Sequence, residues 1–223
     1  MKYDRVLFLV FCILVSIGML ACSELSTPAD LDREQILAVR ATPPGLVPGG
    51  SVVLEPLLAG PNGRFLSTTD WEIAGDDSQL QLETLETGGL RIRADDAYPL
   101  ENDVEVELRV ALSDGYALRA RKRVVVSQAM RSNPVIDALR VAGTPVDNNG
   151  VAVLQEDIVE LAVEAPEGAS IAWYTSIGEI RYYRDATTTL ELTEKGPSEG
   201  WLAVVVRDGE GGANWHTCTL RRP

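Results

Sequence analysis

His216 and Cys218, near the end of the chain, are residue types that can bind a metal ion or take part in catalysis. His216 is the only histidine, and it lies two residues before Cys218, so both side chains would share one strand face. A thiol and an imidazole at this spacing can bind a metal ion or act as nucleophile and base. A zinc site needs about three or four protein ligands, and the other cysteines, Cys12 and Cys22, lie at the opposite end. Because Cys218 alternates with Leu220, we predict a buried thiol and no metal.

Carboxylates form three short clusters that could bind Ca²⁺, which takes about 6–8 oxygen ligands. None has the spacing of a recognised calcium loop. Paired carboxylates also hydrolyse glycosides, but nothing in the sequence places two of them in one cleft. No Gly-x-Ser-x-Gly motif, phosphate loop or dinucleotide fingerprint occurs. We therefore predict solvated turn carboxylates, no cofactor and no enzyme activity. The clusters are Asp76-Asp77, Asp95-Asp96 and Asp208 with Glu210.

Cys22 is the residue whose surroundings predict its chemistry best. A basic start precedes an apolar run over residues 6–20, which is shorter than the roughly 20 residues of a spanning helix. The order Met19-Leu20-Ala21-Cys22-Ser23 then resembles the lipobox of bacterial lipoproteins. The resemblance implies cleavage after residue 21 and acylation of Cys22, with palmitate-type chains. An uncleaved N-terminal anchor is the alternative.

The resemblance also implies a location. Several acyl chains, at about 0.8 kcal/mol per buried methylene, make membrane attachment effectively permanent. Ser23 follows the cysteine, where an Asp would resemble an inner-membrane retention signal, so the outer membrane is expected. Residues 23–34 are polar and are interpreted as a flexible tether of at most about 40 Å, with a helical turn as the alternative. Domain 2 would then lie farther from the membrane than domain 1.

Net charge and cysteine content limit the remaining functions. The chain carries −13, and loss of Lys2, Asp4 and Arg5 with the leader leaves −14. This charge argues against nucleic acid as a partner. It also argues against peripheral binding to anionic lipid, so the anchor must be covalent. With Cys12 removed and Cys22 acylated, Cys218 has no disulfide partner, and the fold depends on hydrophobic burial.

From residue 35 onward apolar residues recur with a period of two, which is typical of half-buried strands. Between residues 104 and 112, valine and leucine at even positions alternate with mostly charged residues. Turn signals separate the shorter runs. The predicted strands cover residues 36–41, 51–58, 68–74, 79–84, 89–94, 104–112 and 116–127, then 135–142, 151–154, 157–165, 170–175, 179–183, 187–193, 201–207 and 213–221.

The pattern occurs twice. Trp71 lies 102 residues before Trp173, and Asp114-Gly115 lies 94 residues before Asp208-Gly209. The repeat predicts an all-β protein with two tandem β-sandwiches. The predicted organisation is a signal peptide (1–21), acylated cysteine and tether (22–34), domain 1 (35–128), a linker (129–134) and domain 2 (135–223).

Turns and core positions of both halves carry a family resemblance. In the first half these are residues 39–43, 47–54, 61–63, 71–73 and 106–110, and in the second half residues 173–178 and 204–212. These segments resemble the bacterial Ig-like and PKD-like domains of surface proteins. The resemblance implies an Ig-like sandwich with an adhesive, spacer or scaffold role, and it implies no shared catalytic site.

A hairpin between the strands at 104–112 and 116–127 has a predictable register. A two-residue loop would set Leu108 opposite Arg121, whereas a three-residue loop, Ser113-Asp114-Gly115, aligns the apolar faces. The basic run at 119–123 is then predicted to pair with an acidic strand rather than to bind an anion. Lys122 falls on the inward face, where only a bulge would account for a cation. The predicted pairs are Val110 with Leu118, Leu108 with Ala120, Glu107 with Arg121 and Glu105 with Arg123.

Aromatic residues are concentrated in the second half. Trp71 and Trp173 are predicted core residues of central strands. If the even positions from Leu202 onward point inward, the odd positions from Trp201 to Val205 form an outward apolar strip, and such patches often mark interfaces. The alternative is that domain 1 or a neighbouring strand covers the strip. The candidate interface residues are Trp201, Val205, Trp215, Tyr182 and Tyr183.

These features predict a non-catalytic lipoprotein of the cell envelope. Its tandem Ig-like domains would bind a protein partner in the envelope, while its lipid anchor holds it to the membrane. The alternative is a carbohydrate-binding surface module that stacks a glycan on the aromatic side chains of domain 2. Two coplanar exposed aromatics among Tyr182, Tyr183, Trp201 and Trp215 would favour the glycan.

Overall fold

The computed structural model describes residues 28–75, 78–100 and 103–223. The predicted signal peptide, Cys22, residues 23–27 and the pair Asp76-Asp77 lie outside these residues. All regular elements within the described ranges are strands. No described helix could therefore cross a bilayer.

Nine strands form the first unit, and each predicted strand of this half has a counterpart among them. They pair into two sheets, one with the order β1-β3-β7-β6 and β4 attached to β3, the other with the order β2-β9-β8-β5. The strands are β1 (Gln35–Thr42), β2 (Gly45–Leu46), β3 (Ser51–Gly60), β4 (Gly63–Arg64), β5 (Thr69–Ala74), β6 (Leu80–Thr84), β7 (Leu90–Ala94), β8 (Val104–Ala111) and β9 (Ala117–Val126).

Nine further strands form the second unit. Its two sheets have the orders β11-β10-β13-β16-β15 and β12-β18-β17-β14. The strands are β10 (Ala138–Val141), β11 (Thr144–Val146), β12 (Gly150–Val153), β13 (Ile158–Glu164), β14 (Ser170–Thr175), β15 (Glu179–Ile180), β16 (Thr187–Glu191), β17 (Glu199–Arg207) and β18 (Ala213–Arg221).

Each unit is an Ig-like β-sandwich. Most ladders are antiparallel, but a short early strand pairs parallel with the last strand of its unit, β2 with β9 and β12 with β18. Side chains from both sheets meet between the layers, as alternating strands require. The predicted fold class, two tandem Ig-like sandwiches, is confirmed.

A tryptophan packs in or beside the core of each unit, as predicted, but the prediction of central strands is wrong, because β5 and β14, which carry Trp71 and Trp173, are terminal in their sheets. Trp173 is fully buried in the second core, and its indole N–H donates to the Asp185 carbonyl at 2.8 Å. Trp71 is half-buried beside the first core, and its indole N–H donates to the Gly88 carbonyl at 3.1 Å. Burying an indole requires such a partner for its N–H.

The predicted register of the β8–β9 hairpin is confirmed for all four residue pairs. Gly115 adopts φ +86°, and its N–H donates to the Leu112 carbonyl at 3.1 Å, so the three-residue loop forms as expected. Glu107 lies 3.5 Å from Arg121 and also contacts Arg109 and Arg119. A hydrogen bond from Arg109 lowers the pKa of Glu107. The basic run therefore faces the acidic strand, as predicted.

The prediction that residues 23–34 form a free tether is wrong for residues 29–31. The N–H of Thr175 donates to the Ala29 carbonyl at 2.9 Å, and the N–H of Leu31 donates to the Thr175 carbonyl at 2.8 Å. Ala29 is fully buried in the second core, and Leu31 is buried between the units. These three residues therefore extend the second unit at the edge of β14, and domain 2 is not the unit farther from the N-terminal segment.

Candidate interaction surfaces

The apolar strip on β17 points outward from its own sandwich, as its alternation predicts. Leu202, Val204 and Val206 lie in the second core. Ala203 and Val205 lie on the other face and are completely buried. They are covered by the first unit, so the alternative of a contact between the domains is the one that the structure shows. The apolar cluster between the units comprises Leu31, Leu37, Ala38, Leu57, Ala59, Ala203, Val205 and Trp215.

Trp201 marks one end of this contact between the units. It is half-buried and packs against the shared apolar cluster. Gly63, at the tip of the β3–β4 hairpin, has φ +88°, and a Cβ added there would lie 3.1 Å from the Trp201 Cβ. The hairpin therefore lies directly against Trp201, and a side chain at position 63 would require Trp201 to shift by a few tenths of an ångström.

Arg40 joins the two units at Trp215. Its guanidinium carbon lies 4.3 Å from the centroid of the Trp215 ring. Its Nη2 donates to Glu55 at 2.7 Å, and its Nη1 donates to the Asn214 side chain at 2.9 Å. Arginine can stack on an aromatic face while its edges donate hydrogen bonds. Arg40 makes both kinds of interaction, stacking on Trp215 and donating a hydrogen bond to Asn214 across the contact between the units.

Lys122 lies at the other end of the contact. Its strand pairs in regular register with β8, so no bulge occurs at this residue. Instead, Nζ donates to the Gly211 carbonyl of the second unit. Burial lowers the pKa of Lys122, and the nearby Arg207 adds to this effect while Asp208 opposes it. The inward cation that the sequence left unexplained thus links the units.

The linker also contacts both units. The side chain of Asn133 donates to the Ala41 carbonyl of the first unit at 2.7 Å and accepts from the N–H of Ala213 at 3.0 Å. Arg207 adds a bond of 2.6 Å from Nη2 to the Leu37 carbonyl. Polar bonds therefore surround the apolar cluster, and the two sandwiches pack as one body.

Tyr182 and Tyr183 lie away from this contact, on the loop between β15 and β16. Tyr182 is 63% exposed. Tyr183 packs against the second core, and Arg184 lies over its ring at 5.3 Å from the centroid. Of the four aromatics named for a glycan platform, Tyr182 alone is exposed among the described residues; Tyr183 and Trp201 are half-buried, and Trp215 is 8% exposed.

His216 and Cys218 share the inward face of β18, as predicted. Cys218 belongs to the second core, and burial raises its pKa to about 12. Such a thiol is a poor nucleophile at neutral pH because the thiolate is the reactive form. The Nε2 atom of His216 is buried without a hydrogen-bond partner among the described residues. No group of three His, Cys, Asp or Glu residues in the described ranges could hold a metal ion.

The described acidic clusters belong to turns. Asp208 Oδ1 accepts the N–H of Glu210 at 2.9 Å and that of Gly212 at 2.7 Å, and so shapes the β17–β18 turn. The Asp95 carbonyl accepts from Gly49 at 3.1 Å and from Tyr98 at 3.0 Å. These residues have local structural partners.

A crevice of about 770 Å³ lies in the second unit beside β11, β12 and the start of β13. Val151, Val153 and Ile158 line it, and each is more than half exposed. Glu156 and Glu160 also line the crevice, and no Arg, Lys or His does. This surface was not predicted from the sequence, although the apolar residues Val151, Val153 and Ile158 around an edge strand were a usable signal.

No protein-family model matches the chain, and no curated protein matches it. Several solved structures are similar in strand arrangement. The N-terminal Ig1-2 module of the Drosophila receptor protein tyrosine phosphatase DLAR is 14% identical, with 85% of this chain and 98% of that chain covered and a TM-score of 0.35. The tandem Ig repeats of Dlar are 15% identical over 85% and 97%, with a TM-score of 0.36. The IG1+IG2 structure of DIP-gamma is 8% identical over 86% and 99%, with a TM-score of 0.30.

Proposed function

We propose that this chain is a lipoprotein of the bacterial cell envelope, acylated at Cys22, whose Ig-like units bind a protein partner without catalysis. The anchor rests on the order of residues 19–23. The outer membrane is the proposed location because Ser23, rather than an Asp, follows the cysteine. The observation that carries the binding role is the exposed apolar crevice beside β12.

The crevice suits an extended segment of a partner protein. Strand β12 is terminal in its sheet, so its outer edge has no neighbouring strand among the described residues. An unpaired edge offers backbone donors and acceptors to an added strand. Val151 and Val153 supply apolar contacts, while Glu156 and Glu160 favour basic residues. The proposed occupant is therefore an extended segment with apolar and basic side chains.

The placement of the reactive groups supports a non-catalytic role. Cys218 is buried with a raised pKa, and the Asp208 carboxylate holds a turn. The aromatic strip on β17 lies inside the contact between the units. Partner binding at that strip would require the sandwiches to separate, whereas the crevice is open in the assembled body.

Photo-crosslinking in intact cells tests the binding role. A photoreactive residue at Val153 is expected to give a defined protein adduct, and the same residue at Leu66, which is 79% exposed on the first unit, is expected to give none. Val151→Lys should abolish the Val153 adduct, because it removes an apolar contact and places a cation against the basic side chains of the proposed segment. Adducts of equal yield at both positions, or glycan adducts alone, would contradict the proposed crevice.

Membrane fractionation tests the anchor. The wild-type protein is expected in the outer-membrane fraction, and Cys22→Ala in the soluble fraction or as the uncleaved precursor. A Cys22→Ala protein that is processed normally and remains with the membrane would contradict acylation at this residue.

A further inference from the structure

The edge of β14 has two different neighbours. The N–H of Trp173 donates to the Tyr183 carbonyl at 2.8 Å, and the N–H of Thr175 donates to the Ala29 carbonyl at 2.9 Å. Alternate residues of a strand are about 7 Å apart. The loop that carries Tyr183 and the N-terminal segment therefore lie side by side along one edge, each covering part of it.

This arrangement fixes where the N-terminal chain leaves the second unit. The bridge between Asp30 and Thr175 is parallel, so residue 28 would next come opposite Trp173. The Tyr183 carbonyl already accepts from that N–H. Pro28, which is exposed, therefore turns away from the edge beside the tyrosine loop, defined as residues 181–185.

The remaining tether is short. Seven Cα steps separate Cys22 from Ala29, and they span at most about 25 Å. If Cys22 is acylated, the edge of β14 and the adjoining tyrosine loop are tethered within about 25 Å of the membrane surface. The edge of β12, beside the proposed partner crevice, is the opposite edge of the same four-stranded sheet. It lies three strand spacings away, about 14 Å, on the side away from the tether.

The chemistry of the tyrosine loop suits a bilayer surface. Tyrosine is enriched at the membrane–water boundary because its ring is apolar and its hydroxyl is polar. Tyr182 is 63% exposed, and Arg184, which is also exposed, lies over the Tyr183 ring, where its guanidinium could meet a lipid phosphate. Arg181 contacts Glu191, and Asp185 and Glu179 lie nearby in sequence, so charge attraction to lipid is weak. Contact between the tyrosine loop and lipid therefore depends on the proposed acyl anchor at Cys22.

We propose that the tyrosine loop contacts the headgroups of the bilayer in which Cys22 is anchored, so that β14 faces the membrane and the β12 crevice faces away from it. The inference rests on the proposed acylation. Protein in the same membrane is the alternative neighbour of this loop, and the test separates it by using pure lipid.

Spin labelling of the mature acylated protein tests this orientation. A label at Tyr182→Cys is compared with one at Tyr116→Cys, which is 75% exposed on the first unit, in vesicles of phosphatidylethanolamine and phosphatidylglycerol. Cys218 is buried and does not compete for the label. We expect the ratio of accessibility to oxygen over accessibility to an aqueous nickel complex to be several-fold higher at position 182. Adding Arg184→Glu should lower the ratio at 182 towards that at 116.

Mass spectrometry of the same sample separates the two proposals. Equal ratios at both positions, with Cys22 shown to be acylated, would overturn the membrane contact and leave the anchor intact. A sample in which Cys22 carries no lipid would overturn both.

Discussion

The guanidinium of Arg40 covers the indole of Trp215, with 4.3 Å between the guanidinium carbon and the ring centroid. The two residues belong to different sandwiches, and Trp215 is 8% exposed. Together with the apolar cluster and the links from Lys122 and Asn133, this pair makes the tandem units one body. The apolar strip of β17 is therefore covered and is not free for a partner while the units are packed together.

Replacing Arg40 should weaken this contact. Arg40→Ala is expected to lower the free energy of unfolding by about 1–3 kcal/mol, because it removes a cation–π contact and hydrogen bonds to Glu55 and Asn214. Arg91→Ala is the control, since Arg91 pairs with Glu83 at the exposed surface and should cost about 0–1 kcal/mol. Urea denaturation measures both. Equal losses would contradict a special role for Arg40.

Gly63 should be intolerant of a side chain for two reasons. Gly63→Ala forces a residue with φ +88° to carry a Cβ that meets Trp201 at 3.1 Å. Gly143→Ala is the matched control, because φ is +74° and nothing lies within 4 Å of the added atom. Strain at positive φ costs about 1–2 kcal/mol, so the control should show only this loss. Gly63→Ala should lose more and should change the near-ultraviolet circular dichroism of tryptophan.

The docked N-terminal segment should respond to a buried charge. Ala29→Asp places a carboxylate in the second core, where Ala29 is fully buried, and this should release the segment. Hydrogen exchange at the Thr175 amide, which donates to Ala29, should accelerate about tenfold to a hundredfold. The Trp173 amide, which donates to Tyr183, is the internal control and should change little. Unaltered protection at Thr175 would show that the segment stays docked.

Lys122 should make stability depend on pH at alkaline values. Its pKa in the fold lies below the ordinary 10.5 because of burial, so the folded state disfavours its charged form. The resulting destabilisation is present below the folded pKa and is relieved as pH rises towards the unfolded pKa. Wild type should therefore gain stability relative to Lys122→Met as the pH increases to about 10.5. Thermal unfolding of the two proteins against pH measures the difference, and parallel curves would be contrary to this account.

Cys218 should be unreactive until the protein unfolds. Burial raises its pKa to about 12, so little thiolate exists at pH 8. Ellman's reagent is expected to react at once with an exposed thiol introduced by Tyr116→Cys, and with Cys218 only in denaturant. Fast reaction of the native wild-type thiol would contradict its place in the core.

Strand positions and the β8–β9 register could be predicted because side-chain alternation and loop length determine them locally. Whether the outward face of β17 is exposed or covered could not be predicted from the sequence. Trp201 to Val206 form a continuous apolar run, which is typical of a strand buried on both faces, but the residues that cover it come from distant segments. The docking of Ala29 gave no sequence signal, since three residues show no period. The partner of Lys122 lies in the other unit, beyond the reach of a pattern within one hairpin.

The mass of the N-terminal tryptic peptide of the membrane-purified protein tests the central claim most directly. The account predicts a peptide that begins at Cys22, ends at Arg33 and carries acyl chains on the cysteine. An unmodified Cys22, or a peptide that retains residues of the leader, would contradict the lipid anchor and, with it, the proposed orientation of the second unit.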